Sequence, residues 1–299
     1  MHVVNNFLAK LLVAGVTATA AIGQDGRPAT LPAKVVVALK PDKNPDAMLA
    51  EKRVLESFLG KTLQRPVEVI IPLAAAAIIE GLANGTVDLS YLSASDMVRA
   101  RDRGIADVLL AGEIDGQTSY LSYWVALREK PYASVADLRG RPVAFSSRTS
   151  TSGFVIPLWH LRQQGLIPEG SGPEAFFGRG HVWYGTGYVS AIERVLSGDA
   201  EAAAVSYYVL DGEQHLSPAQ RARLKRIASQ GPVPTHVIAV RAALGPEARD
   251  TLRQALTKLN EPVHQALRDR LFTSKLVTVD ASAHLDPLRA ALELAQTVR

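Results

Sequence analysis

The chain has 299 residues and no cysteine, so disulfides, thiolate metal ligands and lipid attachment at a cysteine are excluded. Its 33 Lys and Arg against 29 Asp and Glu give a net charge of +4. The charges are scattered without a basic run or interleaved aromatic residues, which argues against nucleic acid as a partner.

The first 23 residues are typical of a secretory signal. Lys10 supplies the positive charge, residues 11–21 form a short apolar run, and Ala18-Thr19-Ala20 fits a cleavage site. The run is too short to span a bilayer, although a single-pass anchor is the alternative. Cleavage would leave a net charge of about +3, because Lys10 is the one charge removed. Export of a chain without disulfides predicts a bacterial periplasmic protein with a core large enough to need no cross-links.

The first half of the chain alternates strands and helices. This pattern indicates right-handed βαβ units and a parallel sheet. The predicted strands are 34–39, 66–71, 87–92 and 108–112, and the predicted helices are 44–59, 74–82 and a third ending at Arg103. Gly60 is expected to end the first helix, and Ser93 or Ser95 to cap the third.

The alternation is then interrupted twice. Bare strands are predicted at 120–127 and 235–240, and a second αβ series lies between them, with strands at 141–145, 181–184 and 202–205 and a helix at 188–196. Two helices, 247–259 and 288–298, follow. This order predicts two lobes joined by two crossing strands. The first lobe would hold residues 24–122 and, on the return, 236–299 with the C-terminal helices, and the inserted second lobe residues 123–235.

A cluster of hydroxyl side chains lies at one strand-to-helix junction. Residues 146–152 carry six Ser or Thr in seven positions, between an apolar strand and a helix that begins near Pro157. The first turn of a helix has free N–H groups and a partial positive charge, so this junction is suited to bind an anion. Ordinary N-capping is the alternative, but a cap needs only one Ser or Thr. Arg148 could pair with the anion or remain solvated.

Four tyrosines and a serine follow other predicted strands or open helices. Tyr91 and Ser93 come where a parallel strand ends, Tyr188 opens a helix after Gly-Thr-Gly, and Tyr207 and Tyr208 follow strand 202–205. Ligands bind outside the carboxyl ends of parallel strands, so these residues are candidate ligand contacts. Packing between lobes is the alternative for Tyr91, and one of Tyr207 and Tyr208 is expected to face the cleft while its neighbour packs.

The sequence lacks the usual signatures of an active site. Its seven histidines are scattered, and neither a nucleophile elbow nor a Walker loop is present. We therefore predict a binding protein without cofactor, metal or catalytic residues.

Several motifs, in one order along residues 35–260, carry a family resemblance. They are Leu59-Gly60-Lys61 with Arg65-Pro66-Val67, Gly85-Thr86-Val87-Asp88-Leu89-Ser90-Tyr91, Asp137-Leu138-Arg139-Gly140, and Ser150-Thr151-Ser152-Gly153. Together they resemble the phosphate/phosphonate/phosphite (PhnD-like) periplasmic substrate-binding proteins of bacterial ABC importers. The resemblance implies that Ser150, Thr151 and Ser152 hold a phosphorus oxyanion between two lobes, with Tyr91 contributing from the first lobe.

The chain departs from the family pattern at two places. Where the family often has a Gly-Ser-His-Asp-like segment, this chain has Thr186-Gly187-Tyr188-Val189, and Leu92-Ser93-Ala94 replaces an aromatic-Gly-Pro turn. Val189 cannot neutralise the ammonium group of an aminoalkylphosphonate, and an unpaired buried ammonium is costly. A smaller oxyanion or a phosphonate without an amine is therefore expected.

These observations predict an α/β, two-lobed type II periplasmic binding protein with two crossing hinge strands. Its expected role is capture of a small phosphorus oxyanion, as a monomer, for an ABC permease and its ATPase. Two alternatives stay open: a sensory binding protein that presents its ligand to a membrane histidine kinase, and an enzyme of the same fold.

Overall fold

The computed structural model describes residues 30–40, 45–213, 215–270 and 273–298. The predicted signal sequence lies outside these ranges. Within them, none of the helices combines the length and the apolar character that crossing a membrane requires.

Strands and helices alternate through most of the chain. The strands are β1 (Val35–Leu39), β2 (Val67–Ile70), β3 (Leu89–Leu92), β4 (Ala106–Glu113), β5 (Ser119–Leu127), β6 (Val143–Phe145), β7 (Val182–Tyr184), β8 (Ala202–Ser206), β9 (Leu224–Pro234), β10 (Val237–Arg241) and β11 (Lys275–Val277). The α-helices are α1 (Pro45–Leu63), α2 (Ala75–Asn84), α3 (Ala94–Asp102), α4 (Ile156–Gln163), α5 (Glu174–Phe177), α6 (Tyr188–Ser197), α7 (Tyr207–Asp211), α8 (Pro218–Ala222), α9 (Pro246–Thr257), α10 (Gln265–Arg270), α11 (Ala281–Leu285) and α12 (Arg289–Thr297). A π-helical turn, Thr151–Val155, leads directly into α4.

The strands form two separate sheets. The first has the order β11-β4-β10-β3-β1-β2, with β1 parallel to β2 and β3, and with β10 antiparallel to β3 and β4. The second has the order β7-β6-β8-β5-β9, with β6 parallel to β7 and β8, and with β5 antiparallel to β8 and β9. The predicted parallel βαβ units are therefore present in both sheets.

The chain passes between the sheets twice, and the two passages lie side by side. It leaves the first sheet after Glu113 and enters the second at Ser119, then returns between Pro234 and Val237. The backbone N–H and the hydroxyl of Thr235 both donate to the carbonyl oxygen of Thr118, at 3.0 and 3.1 Å. The crossings are thus made by short connections, whereas the predicted bare strands at 120–127 and 235–240 belong mainly to one sheet each.

Two further sequence predictions need correction. Helix α1 continues through Gly60 to Leu63, because the burial of Leu59 and Leu63 outweighs the roughly 1 kcal/mol cost of one glycine in a helix. Strand β9 has no counterpart in the sequence prediction. Its buried residues recur every third position, because bulges interrupt its pairing with β5, and the alternation typical of a strand is lost.

The C-terminal segment contacts elements of both sheets. Ala291 and Leu292 of α12 are buried in the same apolar cluster as Leu158 and Leu161 of α4, which follows β6 of the second sheet. In the same first turn of α12, Arg289 pairs with Asp102 of α3, with Nη1 to Oδ1 at 3.0 Å. The last helix therefore lies across the boundary between the two halves of the molecule.

His284 ties this C-terminal segment to the returning connection. Its side chain is buried, and its Nε2 donates to the carbonyl oxygen of Thr235 at 3.1 Å. Burial lowers the pKa of His284 below its usual value of 6.5, and the hydrogen bond opposes this shift only in part. The folded protein therefore favours the neutral imidazole.

The lowered pKa of His284 predicts a specific pH dependence of stability. The contribution of neutral His284 to the free energy of unfolding is fully present above pH 6.5. It is lost as the pH falls from 6.5 through the lowered pKa of the folded state, because the unfolded chain binds the proton first. Thermal unfolding between pH 5 and 8 should show this loss in the wild type and a flatter profile in His284→Gln. His160→Gln, at a half-buried position of α4, is the matched control and should keep the wild-type profile. Identical profiles for the wild type and His284→Gln would contradict the assignment.

Candidate functional site

The hydroxyl cluster predicted from the sequence forms a tight, buried turn after β6. Ser150 is the N-cap of the π-helical turn, and its Oγ accepts a hydrogen bond from the backbone N–H of Gly153 at 3.0 Å. A Cβ at Gly153 would lie only 2.4 Å from the side chain of Ser146, so glycine alone fits this close approach. Because Ser150 uses a lone pair in the cap, its own proton is available to an anion.

A small cavity lies between the two sheets, beside this turn. It has a free volume of about 30 Å³. A single water needs roughly 10–15 Å³ on such a measure, so only a compact ligand fits without movement of the surrounding elements. The residues that line the cavity are Lys40, Ser93, Tyr120, Ser146, Ser147, Ser150, Thr151, Thr186, Gly187, Tyr188 and His236.

Most of these residues lie where parallel strands end. Lys40 follows β1, Ser93 follows β3, Ser146 follows β6, and Thr186 comes two residues after β7. The carboxyl ends of parallel strands meet at one edge of a sheet, and ligands bind outside that edge. The two sheets therefore present their carboxyl edges to the same cavity.

Three helix starts also meet at the cavity. Ser93 caps α3, Ser150 caps the turn that leads into α4, and Gly187 precedes α6. Each helix start carries a partial positive charge and N–H groups without intrahelical partners. Their convergence favours an anion.

Lys40 adds a formal positive charge to the cavity wall. Its Nζ lies 3.1 Å from Oδ2 of Asp96, which is buried and also pairs with Arg99 at 3.3 Å. The carboxylate of Asp96 thus has two cationic partners, Lys40 and Arg99. Ser93 Oγ donates to the same carboxylate at 2.7 Å, so its proton serves Asp96 and not a ligand.

Thr151 joins the two halves of the molecule. Its Oγ1 donates to Oγ of Ser95 at 2.9 Å and accepts from the backbone N–H of Ser95 at 3.1 Å. Ser95 is in the first turn of α3, the helix that follows β3 of the first sheet. Thr151, which comes after β6 of the second sheet, therefore caps a free backbone N–H group at the start of α3.

Ser152 lies behind the cavity, and its hydroxyl holds two tyrosines. Its Oγ is 2.8 Å from the hydroxyl of Tyr188 and accepts from the hydroxyl of Tyr120 at 3.3 Å. Both tyrosines line the cavity, whereas Ser152 is fully buried and is absent from its lining. Burial first, and the neighbouring Tyr188 second, raise the pKa of Tyr120 well above its usual value. Tyr120 therefore keeps its proton as a hydrogen-bond donor.

The other predicted tyrosines do not line the cavity. Tyr91 packs in the core of the first sheet, and its ring stacks on His236 with centroids 5.0 Å apart. Tyr208 packs edge-on against Tyr188 at 5.7 Å, and Tyr207 lies 5.9 Å from Tyr120. These rings form a layer behind the lining residues and contribute to the cavity through their neighbours.

Arg148 also points elsewhere. Its guanidinium lies 3.8 Å from the ring centroid of Tyr184, in a cation–π contact, and it is absent from the cavity lining. Of the sequence-predicted site residues, Ser93, Ser150, Thr151 and Tyr188 meet at the cavity.

Four lining side chains outside the hydroxyl cluster, those of Lys40, Tyr120, Thr186 and His236, were not predicted from the sequence. Lys40 could have been found, since it directly follows a predicted parallel strand. Tyr120 and His236 lie at the two passages between the sheets, and only the tertiary fold brings them together. No group of three His, Asp or Glu in the described ranges could hold a metal ion.

Comparison with known proteins agrees with this architecture. A family model described as an ABC transporter, phosphonate, periplasmic substrate-binding protein matches residues 37–284. The phosphate-import protein PhnD of Mycolicibacterium smegmatis is 27% identical over 230 residues, which are 74% of this chain and 70% of that protein.

Two solved structures share the fold. PhnD1 of Prochlorococcus marinus in complex with methylphosphonate has a TM-score of 0.78 at 18% identity, covering 89% of this chain and 100% of its own. A binding protein component of an ABC phosphonate transporter of Pseudomonas aeruginosa has a TM-score of 0.75 at 17% identity, covering 88% and 86%.

The architecture is thus that of a type II periplasmic binding protein, as predicted from the sequence. Within that class, the chain belongs to the family of periplasmic phosphonate-binding proteins of ABC transporters. Its relatives are substrate-binding proteins and not enzymes, and the family implies a small ligand with a permease and an ATPase as partners.

The position of Ser152 predicts that it affects anion binding indirectly, by holding the hydroxyls of Tyr120 and Tyr188. Ser152→Ala should lower stability by about 1–3 kcal/mol, because buried tyrosine hydroxyls lose a partner, and should also weaken anion binding. Thermal unfolding and calorimetric titration measure the two effects. Ser197→Ala, at an exposed position of α6, is the control and should change neither. Weaker binding at an unchanged melting temperature would instead mean that Ser152 contacts the ligand directly.

Proposed function

We propose that this protein captures a small phosphorus oxyanion without an ammonium group and delivers it to an ABC permease. The ligand class comprises phosphite, phosphate and simple phosphonates such as methylphosphonate. The observation that carries the proposal is the convergence of three helix starts and Lys40 on one compact cavity.

The charges around the cavity support the ligand class. Lys40 belongs to the lining, and none of the lining residues in the described ranges is acidic. An ammonium group of an aminoalkylphosphonate would therefore lose its water without gaining a carboxylate, and it would meet a like charge. Val189, which the sequence singled out at this point, is half-buried and outside the lining.

The relatives support the same class. The P. marinus structure contains methylphosphonate, and the M. smegmatis relative is named for phosphate import. Both anions are tetrahedral, compact and free of positive charge. Hydroxyl and backbone donors at helix starts suit such an anion without requiring an arginine clamp.

The proposed working cycle involves two lobes. The first would comprise residues 24–122 and 236–299, and the second residues 123–235, with the paired connections near Thr118 and Thr235 as the hinge. Closure around the anion would present a defined shape to the permease. We further propose export through the signal in residues 1–23, a periplasmic monomer, and binding without turnover of the ligand.

A thermal-shift screen of the chain without residues 1–23 tests the proposal. A ligand at about 100 times its dissociation constant stabilises a protein by roughly 2.7 kcal/mol, which should raise the melting temperature by several degrees. We expect this shift with at least one of phosphate, phosphite and methylphosphonate, and a smaller one with 2-aminoethylphosphonate and sulfate. An equal or larger shift with 2-aminoethylphosphonate would contradict the ligand class. The absence of a shift with every phosphorus anion would contradict the function.

Removal of the lysine charge tests the electrostatic part of the proposal. Lys40→Met should weaken binding of the selected anion by about tenfold to a hundredfold, since a hydrogen bond to a charged group contributes roughly 1.5–3 kcal/mol. Lys61→Met, at an exposed position of α1, is the matched control and should bind like the wild type. Calorimetric titration gives both affinities. Equal affinity of Lys40→Met and the wild type would remove Lys40 from the site.

A further inference from the structure

Ser95 lies beside the candidate site without touching the cavity. It is completely buried in the first turn of α3, and it is absent from the residues that line the cavity. Its hydroxyl and its backbone N–H both bond to the hydroxyl of Thr151, at 2.9 and 3.1 Å. Thr151 does line the cavity, so Ser95 is one side chain removed from the ligand.

The two hydrogen bonds determine what Thr151 can do. A threonine hydroxyl has one proton and two lone pairs. The proton goes to Ser95 Oγ, and one lone pair accepts the Ser95 N–H. While this pair is formed, Thr151 has no side-chain proton for an anion, and its side chain serves to hold α3 against the turn at Ser150.

The pair also connects the two lobes. Ser95 belongs to the helix after β3 in the first sheet, and Thr151 to the turn after β6 in the second. Its two hydrogen bonds form only when α3 and the Ser150 turn come together. Two other contacts of α3, Arg289–Asp102 and Arg101–Ser282, reach the C-terminal segment, which belongs to the same proposed lobe, so they do not join the two lobes.

We propose that Ser95 is a positioning residue for anion binding, which stabilises the closed arrangement of the lobes through Thr151. This inference rests on the proposed function. The bonds join two lobes and not two parts of one lobe, so their free energy favours closure and not the folding of either lobe. The apparent affinity for the anion is proportional to the fraction of molecules in the closed state. A variant that lowers this fraction therefore binds the anion more weakly.

Affinity measurements give the first test. Ser95→Ala should bind methylphosphonate and inorganic phosphate about two- to tenfold more weakly, in line with the loss of one uncharged hydrogen bond. Ser90→Ala is the matched control, since Ser90 is also fully buried, but its hydroxyl bonds to the carbonyl oxygen of Ala38 within the first sheet, at 2.9 Å. This control should lower the melting temperature and leave the affinity unchanged.

A double-mutant cycle assigns the effect to the pair. Thr151→Val removes both hydrogen bonds, so Ser95→Ala should have little further effect on affinity in that background. Thr151→Ser keeps the hydroxyl and should retain the sensitivity to Ser95→Ala. Additive effects of Ser95→Ala and Thr151→Val would overturn the proposal.

The distance between the lobes gives a test that needs no ligand. The chain has no cysteine, so Glu80→Cys in α2 and Glu169→Cys after α4, both at exposed positions, can carry a pair of fluorescent labels. In the ligand-free protein, Ser95→Ala should shift the distribution of distances toward longer values, and Ser90→Ala should not.

Failure of this inference and failure of the proposed function can be told apart. If the wild type binds neither probe anion, the proposed function fails, while the ligand-free distances still test the Ser95 pair. If the wild type binds a probe, but Ser95→Ala changes only the melting temperature and leaves affinity and distance as in the wild type, Ser95 is purely structural.

Discussion

The site depends on one geometric constraint, the parallel arrangement of the strands around the cavity. Parallel strands end at a common edge, and the helix that follows each strand begins there. Because both sheets turn this edge toward the same space, the starts of α3, α6 and the turn before α4 meet in one place. Their N–H groups and partial charges favour an anion at this place before any particular side chain is considered.

Side chains then add charge, shape and closure to this frame. Lys40 supplies the formal positive charge, and its Nζ pairs with the carboxylate of Asp96. Ser93 and Arg99 bond to the same carboxylate. Tyr120 and Tyr188 limit the space, and Ser152 fixes their hydroxyls. Thr151 connects the frame across the two sheets. Three neighbouring residues of one sequence motif therefore have different surroundings. Ser150 lines the cavity, Ser152 bonds to Tyr120 and Tyr188 behind it, and Thr151 bonds to Ser95 of the helix after β3.

The sequence predicted the strand ends and helix starts around the cavity better than the directions of individual side chains, for physical reasons. The Ser-rich turn and Ser93 were found because capping is local and leaves a local signal. The three hydroxyls of residues 150–152 were expected to face the ligand together, yet successive side chains of a helical turn point in different directions, and Ser152 faces Tyr120 and Tyr188. His236 and strand β9 were missed, because one depends on the tertiary fold and the other on bulges that change the pattern of burial.

In the proposed site, the helix starts and Lys40 together hold the phosphorus oxyanion. The most direct test is a crystal structure of the complex with methylphosphonate, or with whichever phosphorus anion binds most tightly. The proposed site predicts phosphonate oxygens within hydrogen-bond distance of Ser150 and of Lys40 Nζ, between the start of α3 and the Ser150 turn. An anion bound elsewhere, or one held without any contact to these helix starts, would contradict it.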